Sequence, residues 1–164
     1  MRISAYGLAL DPPSGWDARI RRYDAAGVVA GRQLRSQPML HTADFALPDE
    51  RGDFGSGAVE TMQPAHAFVA LVEYHPDSAR TALFAPHAGR PVLAADDFSP
   101  SQLQRTIRGQ AGAQRFFVEA GRAFCLYVVA GSMAELPRTV PRVNVTLAGI
   151  EIAPQATRQL AEEL

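Results

Sequence analysis

Residues 52–58 (Gly-Asp-Phe-Gly-Ser-Gly-Ala) form the stretch of this sequence that comes nearest to a chemical motif. A glycine-rich turn offers backbone N–H groups that can capture an anion. Its spacing matches neither the dinucleotide-binding pattern nor a P-loop, and Ser56 lacks the Gly-x-Ser-x-Gly frame of a nucleophile elbow. We therefore predict a turn anchored by Phe54, with Asp53 and Ser56 reaching outward as part of a partner-binding surface.

A second candidate site combines Glu73 and His75, which lie two residues apart on one face of a predicted strand. With Ser56 they make an alternative catalytic set, because a carboxylate, an imidazole and a hydroxyl can support hydrolysis, and the first two can also bind a metal. The four histidines show no His-Glu-x-x-His motif or other clustered ligand spacing. The primary interpretation is therefore no catalytic residue, no metal and no cofactor.

Cys125 is the single cysteine and lies in the most apolar run of the chain, residues 121–131. A nucleophilic thiol needs partial exposure and a nearby cation or base, whereas a free cysteine in apolar surroundings packs as a small hydrophobic residue. Its sequence neighbours are Phe124 and Leu126. We predict that Cys125 is buried and inert.

The arginines between residues 105 and 122 are predicted to form a basic strip beside the 48–63 loop. Large apolar groups on glycine-rich loops are typical anchors for protein partners. No aromatic-interleaved nucleic-acid motif accompanies the arginines. The predicted partner is therefore another protein, and a homodimer is left open. The partner-binding residues are Asp53, Phe54, Ser56, Met62, Arg105, Arg108, Arg115 and Arg122.

The composition of the 164 residues is that of an ordinary globular protein, with 47% hydrophobic and 20% charged residues. All 16 basic residues are arginine, a bias typical of GC-rich bacterial genomes, and the absence of lysine excludes Schiff-base chemistry. A net charge of −1 gives no general attraction to nucleic acid or to anionic membranes. No stretch approaches the ~20 apolar residues of a membrane span, and no secretory signal is recognised. We expect a cytoplasmic protein.

These candidate residues must be positioned by strands, a hairpin and one helix. Alternating apolar residues predict strands at 3–10, 17–23 and 38–47, the third with His41 on the same side as its apolar residues. A run that is apolar on both faces predicts a central strand at 66–75. A clear hairpin is predicted over 113–131 with its turn at Ala120-Gly121. Val140, Val143, Leu147 and Ile150 predict an amphipathic helix starting near 137–141.

Other segments carry weaker patterns. Residues 24–37 are predicted to be a polar connection. No linker or internal repeat is found, so residues 1–153 are predicted to be a single α+β domain, followed by a tail or short helix at 154–164. Trp16 is expected to pack on the helix or on the sheet edge.

Two stretches resemble the PsbP-like superfamily. They are the opening Tyr-Gly-Leu-Ala-Leu-Asp-Pro-Pro-Ser-Gly-Trp and the ending, an apolar hairpin (residues 116–131) followed by a helix (residues 140–153). The resemblance implies a curved antiparallel β-sheet flanked by helices, a PsbP-like αβα sandwich. Members of the superfamily are mostly accessory subunits, GTPase-binding factors or bacterial lipoproteins. No lipobox cysteine lies near the start of this chain, and no motif carries a metal or GTPase contact onto particular positions.

Two functional hypotheses follow from these observations. The leading one is a non-enzymatic protein-interaction or assembly factor in the bacterial cytoplasm. The alternative is a small-ligand-binding or hydrolytic domain with a pocket at the strand ends. A flat apolar patch would favour the first hypothesis, and a concave pocket with converging polar groups would favour the second.

Overall fold

The structure is a computed structural model that describes residues 1–22, 28–29, 32–33 and 37–154. The connection predicted for 24–37 and the tail predicted for 154–164 lie mostly outside these residues. The strands of the described part are β1 (Ile3–Ala5), β2 (Leu8–Leu10), β3 (Asp17–Arg21), β4 (Val28–Val29), β5 (Arg32–Gln33), β6 (Met39–Ala43), β7 (Ala67–Glu73), β8 (Ala111–Glu119), β9 (Arg122–Ala130) and β10 (Glu151–Ile152). One α-helix, α1 (Leu136–Ala148), occurs in the described residues.

The larger sheet contains five antiparallel strands in the order β3-β6-β7-β9-β8. Its central strands β7 and β9 are apolar on both faces, as strands covered on two sides must be. The β8–β9 hairpin turns at Ala120 and Gly121, whose φ angles of 53° and 75° suit a tight hairpin turn. The predicted hairpin is therefore present, with β8 starting two residues earlier than expected.

A smaller antiparallel sheet has the order β1-β2-β10, and β4 pairs with β5. The sequence predicts one strand over 3–10, but the chain reverses within it. Tyr6 and Gly7 have φ angles of 52° and 73°, so they form the turn between β1 and β2. The described residues thus form a mixed α+β fold.

The first face of the larger sheet packs against α1 and the smaller sheet. Four α1 side chains at helical spacing are buried there: Leu136, Val140, Val143 and Leu147. The helix begins at Leu136, close to the predicted start near 137–141, with Pro137 in its first turn and Pro141 inside it. Ile150 is buried in the same core but follows the end of the helix.

The second face is covered by loops and short 3₁₀ turns in the described residues. Its buried centre includes Phe68, Ala70, Tyr127 and Val129, and the 45–62 and 103–107 segments pack over it. Among the described residues, no helix has the length and apolarity required to cross a lipid bilayer. The loop-covered face contains Phe54 and Met62, two of the residues that the sequence singled out.

Candidate functional site

A cavity of about 480 Å³ opens on the second face of the sheet, between the loop at 52–60 and the segment at 103–110. We call it the loop pocket. Its floor is formed by Tyr127 and Val129 of β9. Twelve residues line it: Gly52, Asp53, Phe54, Ser56, Val59, Glu60, Leu103, Gln104, Arg105, Gln110, Tyr127 and Val129.

Buried polar contacts hold the first wall of the loop pocket. His41, completely buried on β6, donates from Nε2 to the backbone oxygen of Asp53 at 2.7 Å, because its Nδ1 accepts from Arg51 Nε at 2.8 Å. Arg51 also donates to the Pro48 oxygen at 2.6 Å. Burial lowers the pKa of His41 to about 4; the Asp53 contact opposes this shift and the Arg51 charge adds to it. A neutral His41 therefore fixes the start of the loop.

Two glycines allow the loop to lie close to the sheet. Gly55 has φ +88°, and a Cβ there would lie 2.6 Å from Cε1 of Phe68. Gly57 has φ +93°, and its Cβ would lie 2.7 Å from the Glu50 oxygen. Only a residue without a side chain fits either position, so these glycines set the position of the loop.

Phe54 is the aromatic anchor of this loop. Its ring packs edge-on against Tyr127 with 5.5 Å between the ring centroids, and it is partly buried against the second-face core. The ring therefore points inward, as lone loop aromatics usually do. Asp53 and Ser56 are exposed on either side of Phe54, as expected from the sequence.

The second wall is the 103–110 segment. Leu103 and Ile107 pack on the second-face core, and the Gln104 N–H donates to the Tyr127 hydroxyl at 2.9 Å. Burial raises the pKa of Tyr127, while the hydrogen bond from Gln104 opposes that change. The Tyr127 phenol therefore stays neutral at ordinary pH and connects the segment to the sheet.

Gln110 ends this wall, and only 5% of its surface is exposed. Its Nε2 donates to the Val59 oxygen at 2.8 Å, which joins the two walls. Its Oε1 is buried without a hydrogen-bond partner in the described structure. An unsatisfied buried acceptor costs about 1–3 kcal/mol, so its presence needs an explanation.

The rim of the loop pocket is charged. Arg105 pairs with Glu60 at 2.8 Å across the opening, and the second oxygen of Glu60 accepts from the Gly57 N–H at 2.7 Å. Within the described part of the chain, no cation pairs with Asp53. The lining therefore has two carboxylates and one guanidinium, a net negative charge.

The structure separates the four arginines predicted to form a basic strip. Arg105 lines the loop pocket and Arg108 is exposed, whereas Arg115 pairs with Asp97 at 2.7 Å. Arg122 is fully buried, so its assignment to a partner-binding surface is wrong. Met62 is partly buried against the second-face core.

Arg122 is buried because the chain supplies five acceptors around it. Its guanidinium binds both oxygens of Glu73, at 3.2 and 2.6 Å, and the backbone oxygens of Tyr6, Gly7 and Ala153 at 3.0–3.1 Å. These contacts, here called the Arg122 cluster, tie the smaller sheet to the larger one. All five N–H donors of the guanidinium are used.

The alternative catalytic set does not come together as one site. Glu73 is buried in the Arg122 cluster, and His75 is exposed, where its Nδ1 accepts from the Asp77 N–H at 3.2 Å. Both line a second cavity of about 310 Å³, together with Asp53, whereas Ser56 lines the loop pocket. In the described residues, no group of three or more His, Cys, Asp or Glu side chains is arranged to hold a metal ion.

Two further predicted positions are found as expected. Cys125 is buried, and burial raises the pKa of its thiol to about 11, with a weak opposing contact from Gln114. Its low reactivity stays a prediction. Trp16 packs against the first-face core and lines a groove beside Pro141 and Val145 of α1.

Comparison of the chain with protein-family models, with characterised proteins and with solved structures finds no match. The functional assignment therefore rests on the geometry of the loop pocket. Sequence reasoning found Asp53, Phe54, Ser56 and Arg105 but missed Gln110. No local motif marks Gln110, because its significance comes from its burial and from the position of Val59, 51 residues away.

Proposed function

We propose that this protein is a non-catalytic binding domain for a small organic molecule, and that the loop pocket is its site. The observation that carries the proposal is a cavity of about 480 Å³ that is lined by the rings of Phe54 and Tyr127 and by the exposed residues Asp53 and Ser56. Ligand sites typically enclose about 300–1,000 Å³ and combine apolar walls with a few polar groups. The loop pocket matches this size and this composition.

The lining residues argue against a hydrolytic function. The lining includes the hydroxyls of Ser56 and Tyr127 but no histidine. The Glu60 carboxylate is already engaged by Arg105 and by the Gly57 N–H. A nucleophile needs a base within hydrogen-bond reach, and no such pair forms among the described lining residues. Binding without chemistry is the function that these residues support best.

The choice between a ligand and a protein partner depends on the shape of the surface. Asp53, Phe54, Ser56 and Arg105, which the sequence predicts as partner-binding residues, converge on a concave cavity. This shape favours a small ligand over a flat protein contact. The accessory-factor role stays a prediction, which a pull-down comparing the native protein with the Asp53→Ala/Ser56→Ala variant would test.

The PsbP-like αβα sandwich is likewise kept as a proposal. It is supported by the order of the long β8–β9 hairpin and the following helix α1, the order on which the resemblance depends. A sandwich also requires helices on the second face, which loops and 3₁₀ turns cover in the described residues. An experimental structure that includes the segments outside the described residues would test this assignment.

The binding function is tested by a fragment screen with neutral ring compounds, followed by two-dimensional NMR of the ¹⁵N-labelled protein. We expect saturable shifts confined to the amides of residues 52–60 and 103–110. Ser56→Trp, which places an indole ring at the wall, should abolish them, and Ser101→Trp, at an exposed serine outside the lining, should not. Shifts located elsewhere, or no binding at millimolar fragment concentrations, would contradict the proposal.

A further inference from the structure

The glycine-rich loop of the loop pocket uses the N–H groups of its glycines within the chain. The Gly52 N–H donates to the Ser56 oxygen at 2.8 Å, and the Gly55 N–H donates to the Gly52 oxygen at 3.0 Å. The Gly57 N–H donates to the Glu60 carboxylate at 2.7 Å. A loop that captures an anion does so with backbone N–H groups that point at the ligand. These three donors are therefore not available to an anionic ligand.

The charged side chains of the lining also disfavour an anion. Arg105 pairs with Glu60 at 2.8 Å, so an anion would have to displace this carboxylate to reach the guanidinium. The backbone oxygen of Asp53 accepts from His41, whereas no described residue pairs with its exposed carboxylate. Among the described residues, the Asp53 carboxylate is thus the charge of the loop pocket that has no counterpart in the chain.

Asp53 lies directly beside the aromatic surface of the loop pocket. It precedes Phe54 in the chain, and both residues line the cavity together with Tyr127. The Phe54 and Tyr127 rings pack edge-on, with 5.5 Å between their centroids. Such a surface packs well against a further ring, and aromatic faces also attract ammonium groups. A short linker is therefore enough to join a ligand ring on this surface to a positive charge at Asp53.

Asp53 also lines the second cavity of about 310 Å³, together with Tyr74 and His75. Burial raises the pKa of Tyr74, and the charges of Cys125 and Asp53 add to this shift. The Asp53 carboxylate therefore acts on both cavities. In the second cavity, an ammonium group would lie beside the His75 imidazole, which is itself a cation when protonated. The loop pocket suits an ammonium group better, because its one guanidinium is already paired.

We propose that the loop pocket binds an organic amine, with an aromatic ring on the surface of Phe54 and Tyr127 and a protonated nitrogen at the Asp53 carboxylate. The inference rests on the proposed binding function and adds the chemical class of the ligand. Because Asp53 is exposed, water screens its attraction for the amine. The charge is therefore expected to select among ring compounds by a modest factor, while the ring supplies most of the affinity.

The test titrates the protein with three compounds that share a phenyl ring and differ in charge, followed by NMR. They are 2-phenylethylamine, 2-phenylethanol and 3-phenylpropionate. We expect the amine to bind about threefold more tightly than the alcohol, as an exposed ion pair allows, and the carboxylate to bind most weakly. Added salt should lower the amine affinity and leave the alcohol affinity unchanged. Amine shifts confined to the amides of residues 72–75 would place the amine in the second cavity and contradict the assignment.

A charge-removing variant tests the role of Asp53. Asp53→Asn should lower the amine affinity about threefold and leave the alcohol affinity unchanged. Asp49→Asn is the matched control, because Asp49 is an exposed aspartate outside the lining and its replacement changes the net charge equally. A folded amide spectrum for each variant is required before its affinities are compared.

A second variant should change the affinity in the opposite direction. Arg105→Gln removes the cation that pairs with Glu60, so the amine affinity should rise while the alcohol affinity stays unchanged. Arg108→Gln, at an exposed arginine outside the lining, is its matched control and should leave both affinities unchanged. An Arg105→Gln variant with lower amine affinity than the native protein would contradict the inference.

The outcomes distinguish the inference from the function on which it rests. Equal affinities for the amine and the alcohol, or equal amine affinities for Asp53→Asn and Asp49→Asn, would overturn amine recognition and leave the binding function standing. If none of the three compounds shifts the pocket amides and the fragment screen is also negative, both proposals fail.

Discussion

The Arg122 cluster and the loop pocket both bury polar side chains against the larger sheet, yet they satisfy them differently. In the Arg122 cluster, each of the five guanidinium hydrogens meets an acceptor from Glu73 or from the smaller sheet and its continuation. In the loop pocket, Gln110 uses its donor on Val59 and leaves its acceptor unpartnered.

The contrast separates two reasons for burying a polar group. A satisfied cluster joins elements that are distant in sequence, and breaking it exposes charges to an apolar interior. An unsatisfied buried acceptor instead destabilises the protein, so the region of the loop pocket tolerates a cost that the Arg122 cluster avoids. The first region is therefore structural, and the second is the candidate site.

The largest expected effect comes from breaking the Arg122 cluster. Arg122→Ala leaves the Glu73 carboxylate buried without its cation, so we expect a loss of about 3–5 kcal/mol in the free energy of unfolding. The Arg122→Met/Glu73→Leu double variant removes both charges and should recover part of this loss. Urea denaturation measures both variants, and a change below about 1 kcal/mol for Arg122→Ala would contradict the structural role.

A second prediction concerns His41, which is buried and has both ring nitrogens hydrogen-bonded. Unlike Arg122, it holds the loop at 52–60 that lines the loop pocket. Its pKa is about 4 in the folded protein against 6.5 in the unfolded chain, so the unfolded chain binds the proton first as the pH falls. Stability should therefore decrease between about pH 6.5 and 4, by about 3 kcal/mol from this group, and this contribution should change no further below pH 4.

The measurement for His41 is the unfolding free energy across this pH range, compared with that of His41→Gln. Subtracting the two curves removes the contribution of the carboxylates, which is common to both. If the curves run parallel, His41 does not titrate as its burial requires.

The third prediction compares two glycines with left-handed backbones. Gly15→Ala, at φ +83° with nothing within 4 Å of the new Cβ, should cost only the backbone strain of about 1–2 kcal/mol. Gly55→Ala adds the overlap with Phe68 and should cost about 1–3 kcal/mol more. Thermal or urea denaturation measures the difference, and equal losses would show that the loop does not lie against Phe68.

The sequence predicts much of the fold because local patterns determine it. Alternation predicts β3 and β6, apolar runs predict β7 and the β8–β9 hairpin, and the helical stripe of Val140, Val143 and Leu147 predicts α1. The same apolar pattern correctly predicts that Cys125 is buried. The turn at Tyr6-Gly7 was missed because eight residues of mixed pattern resemble one strand.

The candidate site was only partly predictable. Its loop has a visible signature in the 52–57 glycines, and His41 falls on the apolar side of its strand in the sequence. Arg122 was misassigned because its partner Glu73 is 49 residues away, and an isolated arginine at a strand start resembles a surface residue. Gln110 becomes recognisable only when the two walls of the pocket are placed together.

The most direct test of this account is the free energy of unfolding of Gln110→Leu without ligand, measured by urea denaturation beside Gln114→Leu. Leucine removes the unsatisfied acceptor but also the contact with Val59, so these effects oppose each other. We predict that stability stays within about 1 kcal/mol of the native protein or rises. A loss of about 3 kcal/mol or more, comparable to that expected for Arg122→Ala, would show that Gln110 is a structural residue and would contradict the account.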